Sequence, residues 1–394
     1  MLLSYSFSNF QSFRERVEVD LTLSRKTPVT DWMMEASTGP LVSKLMAVIG
    51  PNGSGKTALL KPVAFVSWFV AASFQSELEA PIPFAPHFAA PNKPSTFELN
   101  FEFDGKLWRY ELTCIPQRVL HEALYQKRER YGYVFVRDWD KVSQSYIVKQ
   151  KDFGLSPQEA KKVRQNVSLV STAAQYGEPL AQKLIAAFAV NTNVNLLGRR
   201  SLDDYEVQHA AEHFSKRPTQ TKKMSSLLAS WDLGLTGVEL KEIGSPTPEN
   251  SARTIWVPFG KHVSGDNKAS LPFIWESSGT QGAFVLLSHL LPVLEAGGLA
   301  VIDEFENDLH PYMLEPILDL FSNRKTNPHN AQLLFTCHAV EVLNLLNKAQ
   351  VMLVEKDKDC ESSACRLDAV QGIRSDDNYY GKYMAGAYGA VPQL

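Results

Sequence analysis

The spacing of apolar positions changes several times along the chain, and each change predicts a different element. Between Met1 and Leu23, the residues Tyr5, Phe7, Phe10, Phe13, Val17, Val19 and Leu21 fall mostly on alternate positions. That pattern predicts two short strands joined by a turn at Asn9 to Ser12. A polar, turn-rich interval leads to Ser43-Lys-Leu-Met-Ala-Val-Ile49, an apolar run stopped by Gly50-Pro51 and expected as a buried strand. Ala58 to Phe74 is apolar almost throughout, interrupted by Lys61, Pro62 and Ser67. It falls short of the roughly 20 residues that span a bilayer, so it predicts a buried helix and no membrane partner. Thr96 to Phe103, Trp108 to Cys114 and Tyr133 to Val136 set aromatic and β-branched residues between turns, the pattern of a meander.

From Ser156-Pro157 to about Trp231 the period becomes helical, with alanine, leucine, glutamine and lysine dominating. Gly244 to Asn267 holds three prolines and three glycines and reads as a loop or hairpin linker. From Phe273 onward strands and helices alternate again. The expected organisation is an N-terminal lobe over 1–154, a helical lobe over 155–243 and a C-terminal lobe over 244–394.

Charge changes this picture locally. Forty Lys+Arg against 43 Asp+Glu leave a net charge of −3, which excludes a polybasic nucleic-acid coat and an acidic tail. Between Leu155 and Leu235, however, ten Lys+Arg outnumber seven Asp+Glu, so this part is +3 and the remainder −6. Four cysteines without a CxxC pair, and an N-terminus without signal-peptide features, predict a reduced cytoplasmic setting.

The chemistry begins at Gly50-Pro-Asn-Gly-Ser-Gly-Lys56-Thr57, which fits G-x-x-x-x-G-K-[ST] directly after an apolar strand and directly before a helix. Glycines let such a loop turn its backbone N–H groups of Asn52, Gly53, Ser54 and Gly55 toward phosphate oxygens, and the helix N-terminus adds its positive dipole end. Lys56 is expected to pair with the β and γ phosphates of ATP, and the Thr57 hydroxyl to ligate Mg²⁺. Leu299-Ala-Val-Ile-Asp303-Glu304 is an apolar strand ending in two carboxylates. Asp303 is expected to hold Mg²⁺ and Glu304 to polarise the attacking water. Gln332 to Thr336 is a further apolar strand, followed by Cys337-His338 at the sheet edge where ligands bind. Glu276-Ser-Ser-Gly-Thr-Gln281 precedes a helix; its serine, small residue and backbone donors form a second phosphate cradle, or Ser277 or Ser278 is an ordinary N-cap.

In this order, together with Ser8-Asn-Phe-Gln-Ser-Phe13, Val301 to Pro311 and the tail Asn378 to Pro392, these elements resemble the stand-alone ABC/RecF/SMC-like ATPases. More narrowly, the chain resembles the RloA-type AAA family ATPases of phage-defence and abortive-infection operons. The resemblance implies an α/β, ABC-type P-loop NTPase head with mixed sheets and an inserted helical lobe. It implies a head-to-tail homodimer, or a higher homo-oligomer, around ATP. Ser278, Gly279 and Gln281 of one copy would cap the nucleotide held by Lys56 of the other, with Glu304 as base, His338 on the γ-phosphate, and Asn307 to His310 as the loop linking the two sites. Ser12 and Phe13 would approach the nucleotide, although a core role for Phe13 fits as well.

The chain departs from the usual pattern at Thr280, which replaces a signature glycine, at Cys337-His338-Ala339, and at Phe84 to Phe88, where His87 stands in place of a glutamine. These departures imply slow hydrolysis. The expected role is a sensor or scaffold in anti-phage defence that controls a separate effector, a Toprim-type nuclease first among candidates. The competing role is a RecF/SMC-like DNA-repair ATPase that binds DNA directly. Two weaker patterns remain. His209-Ala-Ala-Glu212-His213 matches an inverted zinc-peptidase motif but reads more simply as a solvated helix face. The doublets Lys161-Lys162, Arg199-Arg200, Lys216-Arg217 and Lys222-Lys223 form either a nucleic-acid surface on the helical lobe or solvated faces.

Overall fold

The structure, a computed structural model, describes residues 1–24, 27, 29–37, 39–195, 202–244, 255–306 and 309–391. Its centre is a six-stranded sheet in which Val190–Thr192, Leu299–Ile302, Gln332–Thr336, Leu45–Ile49 and Val351–Lys356 run parallel in that spatial order, with Ser362–Arg366 antiparallel at one edge. Parallel strands covered on both faces are apolar at every position, and this explains the uninterrupted run Leu45–Ile49, all five residues of which are buried. Successive side chains go to opposite faces. Met46 and Val48 enter one core together with Val301, Leu334 and Met352. Leu45, Ala47 and Ile49 enter a second core with Ala300, Ile302, Leu333 and Phe335.

The first core lies between this sheet, the helix Lys56–Ala72 and a seven-stranded antiparallel sheet. That sheet contains the expected N-terminal pair, Leu2–Ser8 and Val17–Asp20, and a meander of five strands from Ser95–Phe103 to Ser145–Gln150. The helix Lys56–Ala72, with the turn Ser73–Gln75, passes a length-and-apolarity test for a membrane span, yet most of it is buried inside the fold. Its aromatic side chains account for that burial: the Phe65 ring lies 4.9 Å from Phe97 of the meander.

The segment 155–243 carries the expected helices, distributed between two cores. Leu169–Gln175 and Pro179–Phe188 pack into the first core, while Asp204–Ser215 and Pro218–Ser230 pack into the second against Ser278–Ala296. Between the two pairs, Val190–Thr192 joins the central sheet beside Leu299–Ile302. The interval from Gly244 to Asn267 contains most of a hairpin, since Ile255–Ser264 pairs with both Gly237–Ile243 and Asn267–Pro272.

Candidate functional site

The strands Leu45–Ile49, Leu299–Ile302 and Gln332–Thr336 are adjacent and parallel, so the loops leaving their carboxyl ends converge. There they enclose an open cleft of 420 Å³ lined by Gln11, Asn52, Gly53, Gly55, Lys56, Thr57, Ala58, Asp303, Glu304 and His338. Every P-loop, Asp-Glu and histidine position expected from the sequence lines this cleft except Ser54, which is buried beneath it.

The glycines act at two kinds of position. Gly55 has φ +110°, the left-handed region that lets the chain enter the helix at Lys56. Gly50 is needed for space, because a Cβ there would lie 2.1 Å from the Val354 carbonyl oxygen. The loop is also held from behind, where the Ser362 hydroxyl donates to the Ser54 carbonyl at 2.6 Å. Lys56 Nζ donates to the carbonyls of Gly50 at 2.8 Å and Pro51 at 3.0 Å. Burial holds the Lys56 ammonium below the ordinary lysine range, while the charges of Asp303 and Glu306 act in the opposite direction. Burial likewise lowers Lys61, one turn further along the helix, against the charge of Asp303.

Asp303 is the most constrained side chain in the cleft. Thr57 Oγ1 donates to its Oδ2 at 2.9 Å and Thr336 Oγ1 to its Oδ1 at 2.7 Å. The Asn193 side chain grips its main chain, donating to the Asp303 carbonyl at 2.9 Å and accepting from its N–H at 2.8 Å. Glu304 then turns with φ +49°, a left-handed conformation that is costly for a residue with a long side chain. The turn is held because Glu304 N–H donates to Thr336 Oγ1 at 2.7 Å and Phe305 N–H to the Thr336 carbonyl at 3.0 Å. The Glu304 carboxylate reaches the cleft, 3.8 Å from His338 Nε2, and both side chains are partly exposed.

The Asn-Phe motif near the N-terminus contributes differently from expectation. Phe10 and Phe13 are buried against Phe7 at 6.0 and 5.3 Å, so Phe13 belongs to the core. Ser12 Oγ is buried behind the P-loop, and the residue that lines the cleft is Gln11, whose N–H is held by the Ala85 carbonyl. His87 is fully buried under this turn, its N–H bonded to Asn9 Oδ1 at 3.1 Å. Gln11, Asn193 and Thr336 are the site residues that sequence reasoning did not single out. Gln11 alone carried a signal, as the polar residue of the turn within the quoted Asn-Phe motif.

The signature residues stand apart. Ser278, Gly279 and Gln281 are not among the residues lining the cleft. Ser277 caps the helix Ser278–Ala296 through a bond from Thr280 N–H, Ser278 is exposed, and Gln281 Nε2 donates to the Glu276 carbonyl at 3.0 Å. Thr280 is buried with its hydroxyl 2.9 Å from Ser277 Oγ, a capping role at the position of the usual glycine. Asn307 and Asp308 lie outside the described residues, as do Arg199, Arg200 and Pro392. In the zinc-like motif, His213 Nε2 bonds Gln220, Glu212 pairs with Lys216 and the His209 ring lies 4.1 Å from the Tyr205 ring, tilted by 43°. Among the described residues no group of three or more His, Cys, Asp or Glu is placed to hold a metal, and His213 is half-buried, its pKa lowered by burial.

The profile of the family described as "AAA domain, putative AbiEii toxin, Type IV TA system" matches residues 45–344, from the P-loop strand to beyond His338. The chain belongs to this AAA-domain family. The AAA-domain match and the cleft identify an ATP-hydrolysing P-loop ATPase. No curated protein sequence matches it. Among solved structures it is similar to an Smc head bound to the C-terminal winged-helix domain of ScpA, at 12% identity and TM-score 0.45 over 94% of this chain and 99% of that one. It is also similar to the SMC head domain from Thermotoga maritima, at 14% and 0.42 over 93% and 98%. An Smc head with an extended coiled coil, bound to the C-terminal domain of ScpA and derived from Pyrococcus furiosus, gives 13% and 0.44 over 93% and 96%.

Proposed function

We propose that this AAA-domain ATPase is a switch that closes as a head-to-tail homodimer around ATP and, in that state, acts on a separate macromolecule. In this reading Lys56 and the N–H groups of Asn52 to Gly55 hold the β and γ phosphates. The hydroxyl of Thr57 and the carboxylate of Asp303, 2.9 Å apart at the cleft wall, are the hard oxygen donors that suit Mg²⁺. Bound Mg²⁺ would supply charge neutralisation at the phosphates. Glu304 takes the proton of the attacking water, and His338 bonds the γ-phosphate. Ser278, Gly279 and Gln281 come from the second copy.

One observation carries this reading. The cleft holds the phosphate loop and both acids, while the exposed start of the helix Ser278–Ala296 lies outside its lining. If Ser278, Gly279 and Gln281 act on the nucleotide, they act on one held by another copy, because they lie outside the cleft of their own chain. Mixing tests it directly. Lys56→Ala and Ser278→Arg, each inactive alone, should recover part of the wild-type turnover when combined, because one composite site per mixed dimer is intact. No recovery in the mixture contradicts the shared site.

Two finer roles follow. The resemblance to RecF/SMC-like ATPases favours an ATPase that engages DNA directly, with the doublets Lys161-Lys162, Lys216-Arg217 and Lys222-Lys223 as candidate contacts. The abortive-infection name of the family supports a defence protein that restrains or activates an effector, a Toprim-type nuclease among the candidates. A DNA mobility shift by the purified chain near physiological salt, strengthened by ATP, supports the first role. Absence of any shift, with a second protein co-purifying in a nucleotide-dependent manner, supports the second.

A further inference from the structure

Three carboxylates stand at the end of the strand Leu299–Ile302, and the scheme above uses two of them. The third, Glu306, faces the histidine loop. Because Glu304 turns left-handed, the chain doubles back and the Glu306 side chain returns toward the end of the strand Gln332–Thr336. Cys337 N–H makes that strand's last sheet bond, to the Val48 carbonyl at 3.2 Å. The next donor, His338 N–H, leaves the sheet and is taken by Glu306 Oε1 at 2.5 Å. The other Glu306 oxygen is buried, and the carboxylate lies beside the Cys337 thiol. Its negative charge is felt by two neighbours: it helps Lys56 keep its proton, and, after burial, it pushes the Cys337 thiol up.

We infer that Glu306 is a positioning residue for hydrolysis, holding the His338 main chain so that the imidazole stays beside Glu304 in the cleft. The inference rests on His338 acting in the reaction as proposed above. The carboxylate bond to a main-chain N–H is charge-assisted and short, which makes it a stiff tether. It joins the acidic turn to the histidine loop across 32 residues, so the Glu304 and His338 side chains, 3.8 Å apart, are held as one unit.

The inference separates from a merely structural role by kinetics. Glu306→Ala should lower kcat by about ten- to a hundredfold, the loss expected for one hydrogen bond to a charged group. ATP affinity measured by calorimetry should stay within about threefold, a split between binding and rate that a general loosening of the fold would not give. Glu306→Gln keeps an acceptor for His338 N–H and should recover most of the rate. In a double-mutant cycle, Glu306→Ala should add little to His338→Ala, because both remove the same function.

Wild-type kcat in Glu306→Ala, equal losses of rate and affinity, or fully multiplicative effects with His338→Ala would each overturn the inference. If His338→Ala leaves turnover unchanged, the inference fails with it. If the wild-type enzyme instead hydrolyses ATP as a monomer, the dimer reading fails while the cycle still tests Glu306.

Discussion

Thr336→Val isolates the device that organises the acids. The substitution keeps the shape of a fully buried side chain and removes one hydroxyl. That hydroxyl donates to Asp303 Oδ1 at 2.7 Å and accepts from Glu304 N–H at 2.7 Å. The first bond involves a carboxylate and the second leaves a main-chain donor unpaired, so each is worth roughly 1.5 kcal/mol and the pair about 3 kcal/mol. Thr336 does not line the cleft, so phosphate binding by Lys56 and the P-loop should be retained, and the loss should fall on Asp303 and the Glu304 turn. If the loss falls entirely on the geometry of Asp303 and the strained Glu304 turn, kcat drops by about a hundredfold, since each 1.4 kcal/mol is a factor of ten. Steady-state phosphate release gives the rate, and calorimetry with ATP gives the affinity. Turnover within about threefold of wild type, in a variant that melts as wild type does, would refute the assignment of Thr336 as the clamp.

Further outcomes follow from the same contacts. Lys56→Ala should lose measurable ATP binding by calorimetry, and unchanged binding would contradict the phosphate assignment. Gly50→Ala should abolish nucleotide binding and lower the melting temperature, because its Cβ would meet the Val354 carbonyl and the strand cannot yield without moving the sheet. His121 is bonded by Glu111 and Asp138, and the bond to Glu111 raises its pKa first among the causes. Its contribution to stability is therefore complete below about pH 6.5 and is lost as pH rises through the elevated folded value. Denaturant titrations should show that decline in the wild type and a flatter profile in His121→Gln; identical profiles would remove His121 from the explanation.

The parts of the site that sequence made legible are those built from neighbours in the chain. Leu45 to Thr57 declares strand, loop and helix because the apolar run, the glycines and the Lys-Thr pair all act locally. The same holds for Leu299 to Glu304. What escaped depends on partners far away. Asn193 meets Asp303 across 110 residues, and nothing in Asn191 to Asn195 marks one asparagine over another. Thr336 looks like the last residue of an apolar strand until Asp303 and Glu304 are placed beside it. The strand Arg118–Lys127 escaped for a different reason: Leu120, Glu122, Ala123, Leu124 and Gln126 favour helix locally, and pairing with Lys106–Ile115 and Tyr131–Asp140 overrides that preference. The helices of 155–243 were legible as helices, but not their division between two cores, because the short strand Val190–Thr192 that separates them is recognisable only by its neighbour in the sheet.

The central claim is that ATP closes two copies of this chain around a shared site. Glu304→Gln keeps the size of the base and removes its ability to take a proton, so ATP should bind and persist. Light scattering of this variant after gel filtration should read 44.0 kDa without nucleotide and about twice that mass with ATP and Mg²⁺. A mass of 44.0 kDa under both conditions, with ATP shown to be bound, would contradict the account.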